Sequence, residues 1–145
     1  MSSDESESAA PRHGIVKHYF ENGRLCCEVA YEEDVRSGAG RMYYTTGVLY
    51  ATETYARDLL NGPTVTYYET GVIQAELLYV DGQLDGTVKE YYADGRLESV
   101  AEYRAGQLHG RCVVYDRTGG VERTEQWESG TLIDPAPKPP AEPGV

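Results

Sequence analysis

The sequence predicts an all-β fold, a single-layer, twisted, antiparallel β-meander of about ten strands made from five tandem 24-residue β-hairpin repeats. Three observations predict it. Glycine recurs every 24 residues, tyrosine and aliphatic residues recur in the same phase, and each copy holds two short runs of strand-forming residues separated by turn residues. No copy contains an insertion, so the phase is kept from the first copy to the last.

The repeat consists of several residue series that occur once in each copy. A glycine opens every copy, at Gly14, Gly38, Gly62, Gly86 and Gly110. Tyrosine follows five residues later, at Tyr19, Tyr43, Tyr67, Tyr91 and Tyr115. A second glycine stands at Gly23, Gly47, Gly71, Gly95 and Gly119, and an aromatic residue at Tyr31, Tyr55, Tyr79, Tyr103 and Trp127. These series define copies 14–37, 38–61, 62–85, 86–109 and 110–133.

Each copy is predicted to form two strands. In the fourth copy, strands 87–92 and 97–104 flank Asp94-Gly95, a pair typical of type I′ turns, in which both central residues need a positive φ. A second turn region, 81–86, connects this copy to the one before it. In the third copy, apolar residues alternate along the second strand, at Ile73, Ala75, Leu77 and Tyr79. The alternation predicts a sheet that is apolar on one face and more polar on the other.

The ends of the chain differ from the repeats. The last copy carries Arg123 and Glu125 on its apolar face, which favours a terminal cap that discourages further strand addition. Residues 1–12 are rich in serine and acidic residues, and residues 134–145 contain five prolines. Both segments are predicted to be disordered. The repeat domain is therefore expected to span residues 13–133.

Composition limits the function. A net charge of −11 argues against binding to nucleic acid and to anionic membranes, since both need a basic patch, and it favours a basic protein partner. The three cysteines lack the spacing of a disulfide framework or a zinc site, so reduced thiols in a cytoplasmic protein are expected. The sequence has no nucleophile elbow, P-loop or HExxH motif. We therefore expect no catalytic activity, no cofactor and no metal.

Two features are candidates for a protein interface. The second residue of the tyrosine pairs, Tyr44, Tyr68 and Tyr92, could form an exposed aromatic stripe, because tyrosine is enriched at interfaces. The third copy has four acidic residues and no Lys or Arg, at Glu69, Glu76, Asp81 and Asp85. An alternative for the tyrosines is cross-strand packing that stabilises a sheet with no helical cover. An alternative for the whole chain is a structural scaffold that forms homo-oligomers through its uncovered face or its edge strands.

The block from Tyr103 to Gly110, followed by Tyr115, resembles the MORN repeat, and the unit from Gly86 to Leu97 resembles its variant form. The resemblance covers residues 14–133 and extends to the YwqK-like antitoxin components of toxin–antitoxin modules. It implies an extended β-meander with a binding or neutralising role and no catalytic residues. Tyrosine replaces the usual tryptophan in four of five copies. Acidic residues outnumber the basic residues that membrane-binding members use, which argues against a membrane role here.

Overall fold

A computed structural model describes residues 10–134, and within that range the chain forms one open sheet of 13 antiparallel strands without a helix. The strands are β1 (Gly14–Tyr19), β2 (Leu25–Glu32), β3 (Val35–Tyr43), β4 (Leu49–Ala56), β5 (Leu59–Leu60), β6 (Gly62–Tyr67), β7 (Ile73–Val80), β8 (Gln83–Leu84), β9 (Gly86–Tyr91), β10 (Leu97–Arg104), β11 (Gln107–Tyr115), β12 (Val121–Glu128) and β13 (Thr131–Asp134). Long strands that are adjacent in the chain are adjacent in the sheet, which confirms the all-β meander. Ten long strands form the five predicted hairpins, and β5, β8 and β13 are short additions after turns between copies.

The sheet continues slightly beyond the predicted repeat domain. The N–H of Arg12 donates to Oδ1 of Asp34 at 2.9 Å, and the N–H of Asp34 donates back to the carbonyl of Arg12 at 2.9 Å. At the other end, Asp134 pairs with Gln126 in the last ladder. The predicted disorder of the two tails concerns mainly residues 1–9 and 135–145, which lie outside the described residues.

The glycine that opens each of the second to fifth copies lies where the strand pairing shifts. Strand β7 pairs first with β8 and then with β9, and Gly86 begins β9 with a φ of +119°. A Cβ on Gly86 would lie 2.9 Å from Cδ2 of Leu78, too close for an ordinary contact. The 24-residue glycine series therefore results from a break in the ladder that needs both a positive φ and room for the neighbouring strand.

The prediction of a type I′ turn at Asp94-Gly95 is wrong. Gly95 has a φ of +95° but Asp94 does not have a positive φ, and the Gly95 N–H donates to the carbonyl of Tyr92 at 2.9 Å. Oδ1 of Asp94 accepts the N–H of Arg96 at 2.9 Å, which fixes a three-residue loop ending in a left-handed glycine.

The two-residue turns with two positive φ values lie between the copies instead. Ala105 and Gly106 have φ values of +50° and +86°, and the flanking residues Arg104 and Gln107 pair across the hairpin. The equivalent turns of the first two copies use non-glycine pairs, Glu33-Asp34 and Arg57-Asp58. The connection predicted at 81–86 is thus a two-residue turn at Asp81 and Gly82, followed by β8 and the ladder break.

The sheet has one buried face, as the alternation predicts. We call the inner face the one that carries the most buried hydrophobic side chains, Val29, Ala51, Tyr55, Val88 and Ala101, which are 2–8% exposed. Register partners place Leu77 on this face opposite Thr64. The opposite face, which we call the outer face, carries Glu28 opposite Arg41 and Glu76 opposite Val65.

The two charges on the inner face of the last copy bind each other. Nε of Arg123 lies 2.8 Å from Oε2 of Glu125, and the indole N–H of Trp127 donates to the other carboxylate oxygen of Glu125 at 3.0 Å. These two hydrogen bonds, the one from Arg123 being the larger cause, lower the pKa of Glu125. The inner face of the array therefore ends in a satisfied polar cluster, as a terminal cap requires.

Candidate protein-binding surface

The three tyrosines of the predicted stripe link successive copies. Each hydroxyl donates to a main-chain carbonyl in the next copy: Tyr44 to Tyr67 at 2.7 Å, Tyr68 to Tyr91 at 2.6 Å, and Tyr92 to Tyr115 at 2.7 Å. All three side chains are half-buried. The guanidinium of Arg117 also lies 4.5 Å from the centre of the Tyr92 ring. These contacts give the tyrosines a cross-copy packing role, and their part in an interface stays a prediction.

The four predicted acidic residues do not form one cluster. Glu69 follows Tyr68 in the turn inside the third copy, at the strand ends where the three tyrosines also lie. Asp81 lies at the opposite ends of the strands, in the turn between copies, and its Oδ1 accepts the side-chain N–H of Asn61 at 2.9 Å. Asp85 follows on the same side, and its Oδ2 accepts the N–H of Ala105 at 3.1 Å. The structure thus divides the predicted interface between the two ends of the strands.

Glu76 lies between these two ends, in the middle of β7 on the outer face. It pairs across the sheet with Val65 on one side and with Lys89 on the other. Its Oε1 accepts the hydroxyl of Tyr91 at 3.3 Å. The carboxylate is therefore anchored in place on the outer face two residues before Leu78.

Four apolar residues form an exposed cluster on the outer face that the sequence series did not reveal. Leu59, Leu78 and Val80 are 46%, 39% and 47% exposed. Pro63, also exposed, pairs directly with Leu78. A Cβ on Gly82 would lie 3.4 Å from Cδ2 of Leu59, so Leu59 covers the turn that follows Val80. We call Leu59, Pro63, Leu78 and Val80 the outer patch.

The other copies do not repeat this patch. The positions equivalent to Leu78 hold Ala30, Thr54, Glu102 and Gln126, and those equivalent to Val80 hold Glu32, Ala56, Arg104 and Glu128. Both positions carry large aliphatic side chains in the third copy alone. A comparison of each position across the copies, instead of a search for constant positions, would have found this signal.

Three of the predicted acidic residues border the outer patch. Glu76 precedes Leu78 by two residues on the same face, and Asp81 directly follows Val80. The N–H of Asp85 donates to the carbonyl of Leu78 at 2.9 Å. Apolar side chains bordered by carboxylates are suited to a partner that supplies an apolar anchor and positive charge.

A depression of about 160 Å³ on the inner face of the last two copies combines polar groups with a thiol. The hydroxyl of Ser99 donates to Oε1 of Glu90 at 3.4 Å. Burial, more than the neighbouring carboxylates, raises the pKa of the Cys112 thiol, which keeps it protonated and a weak nucleophile. Glu125 in the same depression is occupied by Arg123 and Trp127. These groups do not form a nucleophile–base pair.

Residues 10–134 contain no group of three or more His, Cys, Asp or Glu side chains placed to hold a metal ion. Within the same range there is no helix long and apolar enough to cross a membrane.

Comparison with known proteins gives a match to three of the five copies. The sequence profile of the MORN repeat variant matches residues 12–33, 60–81 and 84–105, each beginning two residues before a copy's first glycine. No curated protein sequence matches at a significant level. One similar chain comes from the solved structure titled "Crystal structure of GtfA/B complex bound to UDP and GlcNAc", with 15% identity over 83% of this chain and a TM-score of 0.31. This chain spans 23% of the length of that one.

Proposed function

We propose that this array of MORN-variant repeats is a non-catalytic protein-binding module whose partner is a basic protein. The observation that carries the proposal is the outer patch, since large exposed apolar side chains grouped on a folded surface mark interaction sites. The net charge of −11 supports a basic partner because opposite charge speeds association and adds discrimination. The proposal places the protein in a reducing cytoplasm, with free thiols and without cofactor or metal.

In its more specific form, the protein is an antitoxin or immunity-type protein that masks a basic partner. The acidic third copy and the resemblance to antitoxin components support this form. Masking requires that the partner's activity fall in proportion to the complex formed.

The test is affinity purification of the tagged chain from its own cell extract with elution by increasing salt, followed by reconstitution from the two purified proteins. We expect one basic protein that rebinds the purified chain in a fixed ratio and whose affinity falls as salt rises. Variants of Tyr44, Tyr68 and Tyr92 to Ala, compared with variants of the outer patch, show which surface the partner uses. Absence of any complex that can be rebuilt from purified components would contradict the proposal.

A self-associating scaffold is the second candidate, and the first strand favours it. Strand β1 pairs with β2 alone within the described sheet, so its other edge offers free backbone groups. Ile15 and Tyr19 on this strand are 60% and 61% exposed. Light scattering over a wide concentration range separates the two candidates, since a monomer at the highest concentration excludes the scaffold.

A further inference from the structure

We propose that the outer patch is the docking site for a short basic segment of a partner protein that inserts one or two large apolar side chains between Leu59, Leu78 and Val80. The inference rests on the proposed function and names the surface and the chemistry of the segment. Its apolar part is the exposed surface of these side chains on the outer face, and its charged part is the group of carboxylates around them.

The need for an apolar side chain on the partner follows from a comparison of the five copies. In the first four copies the residue at the position of Leu78 lies against the opening glycine of the next copy, and Ala30 and Glu102 serve there in the first and fourth copies. The fold therefore does not demand a leucine. Leu78 and Val80 together expose aliphatic surface to water, which is unfavourable. A partner side chain that covers this surface removes it from water, and that burial favours binding.

The need for positive charge on the partner follows from the carboxylates beside the outer patch. Glu76, Asp81 and Asp85 keep their positions through hydrogen bonds to Tyr91, Asn61 and the N–H of Ala105, respectively. The third copy supplies no Lys or Arg to neutralise them, although Lys89 of the fourth copy pairs beside Glu76. Positively charged side chains that flank an apolar anchor would meet these carboxylates directly.

A second copy of this chain is a poor occupant of the site. Two outer patches placed face to face would bring Glu76, Asp81 and Asp85 of one chain against the same residues of the other. Each chain also carries a net charge of −11. Like charges opposed across a contact cost free energy that such a small apolar area does not offset.

The dimensions of the patch indicate a short segment. Leu78 and Val80 are two residues apart on one strand, about 7 Å, and Pro63 is one strand spacing away, about 5 Å. An area of this size accommodates one or two large side chains, which is enough for the anchor of an interface but not for a whole domain face.

The direct probe is the peptide Lys-Lys-Leu-Trp-Leu-Lys-Lys, added to the full chain and followed by fluorescence anisotropy and by amide chemical shifts. Two matched peptides separate the contributions: Lys-Lys-Ser-Gly-Ser-Lys-Lys keeps the charge without the anchor, and Glu-Glu-Leu-Trp-Leu-Glu-Glu keeps the anchor with the charge reversed. We expect the first peptide to bind roughly tenfold more tightly than either control. Its chemical-shift changes should centre on Leu59, Leu78 and Val80.

Two variants of the chain test the site and two serve as controls. Leu78→Thr with Val80→Thr removes aliphatic surface, and the matched control is Ile15→Thr with Val121→Thr, at positions 60% and 61% exposed. Glu76→Gln with Asp81→Asn and Asp85→Asn removes the charges but keeps oxygen acceptors for the existing hydrogen bonds. Glu21→Gln with Glu122→Gln and Glu128→Gln removes the same charge at exposed positions elsewhere. The two site variants should weaken peptide binding roughly tenfold and the two controls less than about twofold.

The outcomes separate this inference from the proposed function. Equal weakening by site and control variants, chemical-shift changes away from the patch, or equal binding of all three peptides would overturn the docking site. If a partner complex is reconstituted and the two site variants leave its affinity unchanged, the chain binds protein through another surface. The charge variant keeps the test valid even if the Leu78→Thr change prevents folding.

Discussion

The phenolic hydroxyl of Tyr68 donates a 2.6 Å hydrogen bond to the main-chain carbonyl of Tyr91, which ties the third copy of the repeat to the fourth. Tyr44 and Tyr92 make the same bond one copy earlier and one copy later. The first copy has Phe20 at this position, and the last has Asp116. The bond therefore occurs in the three interior copies, since Phe20 has no hydroxyl to donate and the last copy has no following hairpin within the described residues.

We expect Tyr68→Phe to lower the free energy of unfolding by about 0.5–1.5 kcal/mol, because the variant loses one hydrogen bond and keeps the ring. Urea denaturation followed by circular dichroism measures the change. Tyr19→Phe is the matched control, since the Tyr19 side chain is 61% exposed. An equal effect of the two substitutions would show that the bond to Tyr91 contributes nothing to stability.

The repeat could be predicted from the sequence because its cause is periodic. Constant residues at fixed spacing report constant local structure, so the hairpins and their buried face followed from the tyrosine and aliphatic series. The physical role of each series did not follow in the same way. Gly86 is needed because β7 changes partner beside it and Leu78 covers it, and that contact joins residues on different strands.

The turns and the patch show two further limits of the sequence. Asp94-Gly95 suits a type I′ turn, but it equally suits a three-residue loop in which the aspartate accepts the N–H of Arg96. Loop length decided between them, and it depends on the strand register. The outer patch does not follow from the repeat because Leu78 and Val80 depart from it, whereas the constant positions report the shared hairpin structure.

Gly86→Ala should be more destabilising than Gly71→Ala. Both glycines have a positive φ, +119° and +94°, so both variants carry backbone strain of about 1–2 kcal/mol. A Cβ at Gly71 meets nothing within 4 Å, whereas one at Gly86 meets Cδ2 of Leu78 at 2.9 Å. The additional cost at Gly86 should be about 1 kcal/mol.

A double-mutant cycle with Leu78→Ala isolates the contact with Gly86, measured by urea denaturation of the four proteins. Leu78→Ala should remove the additional cost of Gly86→Ala and leave the cost of Gly71→Ala unchanged. Strict additivity at Gly86 would mean that the backbone strain alone explains the glycine.

Ala105→Asn should stabilise the protein by about 0.5 kcal/mol, because asparagine tolerates the left-handed region better than alanine. Ala105 has a φ of +50° and precedes Gly106, so the variant creates an Asn-Gly pair in a turn that needs it. Thermal unfolding measures the gain. Ala93→Asn is the control, since Ala93 is also exposed but does not have a positive φ, and no gain is expected there.

Asp58 should make stability depend on acidity. The side-chain hydrogen bond from Arg36, at 2.9 Å, and then the bond from the Arg36 N–H lower the pKa of Asp58 below its ordinary value of 3.8. A carboxylate whose pKa is lowered by folding stabilises the protein above its unfolded value, and that contribution is lost as the pH falls through the folded value. Asp58→Asn should therefore lose less stability than the original chain on acidification below about pH 4.

The measurement for Asp58 is the urea midpoint at several pH values, at low and at high salt. The Arg36 and Asp58 side chains are 38% and 52% exposed, so salt should reduce the difference between the two proteins. Glu21→Gln provides a charge-matched control at an exposed turn. Parallel acid profiles for the original chain and Asp58→Asn would contradict the role of the Arg36 bond.

Thr64→Val should stabilise the protein by about 1 kcal/mol. The Thr64 side chain is 5% exposed on the inner face, and its hydroxyl has no hydrogen-bond partner among the described residues. A buried hydroxyl without a partner loses its water and gains nothing in return, whereas valine has nearly the same shape and no polar atom. Valine already occupies the equivalent positions in the first and fourth copies, as Val16 and Val88.

Thr87→Val is the matched control for Thr64, because the Thr87 hydroxyl lies 3.0 Å from both carboxylate oxygens of Glu102 on the exposed outer face. It should leave stability unchanged or lower it, since the substitution removes a satisfied hydroxyl. Differential scanning calorimetry of the two variants measures both effects. A lower melting temperature for Thr64→Val would contradict the prediction and mean that the Thr64 hydroxyl is satisfied in solution. The threonine would then contribute to the inner-face packing of the third copy, where the first and fourth copies have valine.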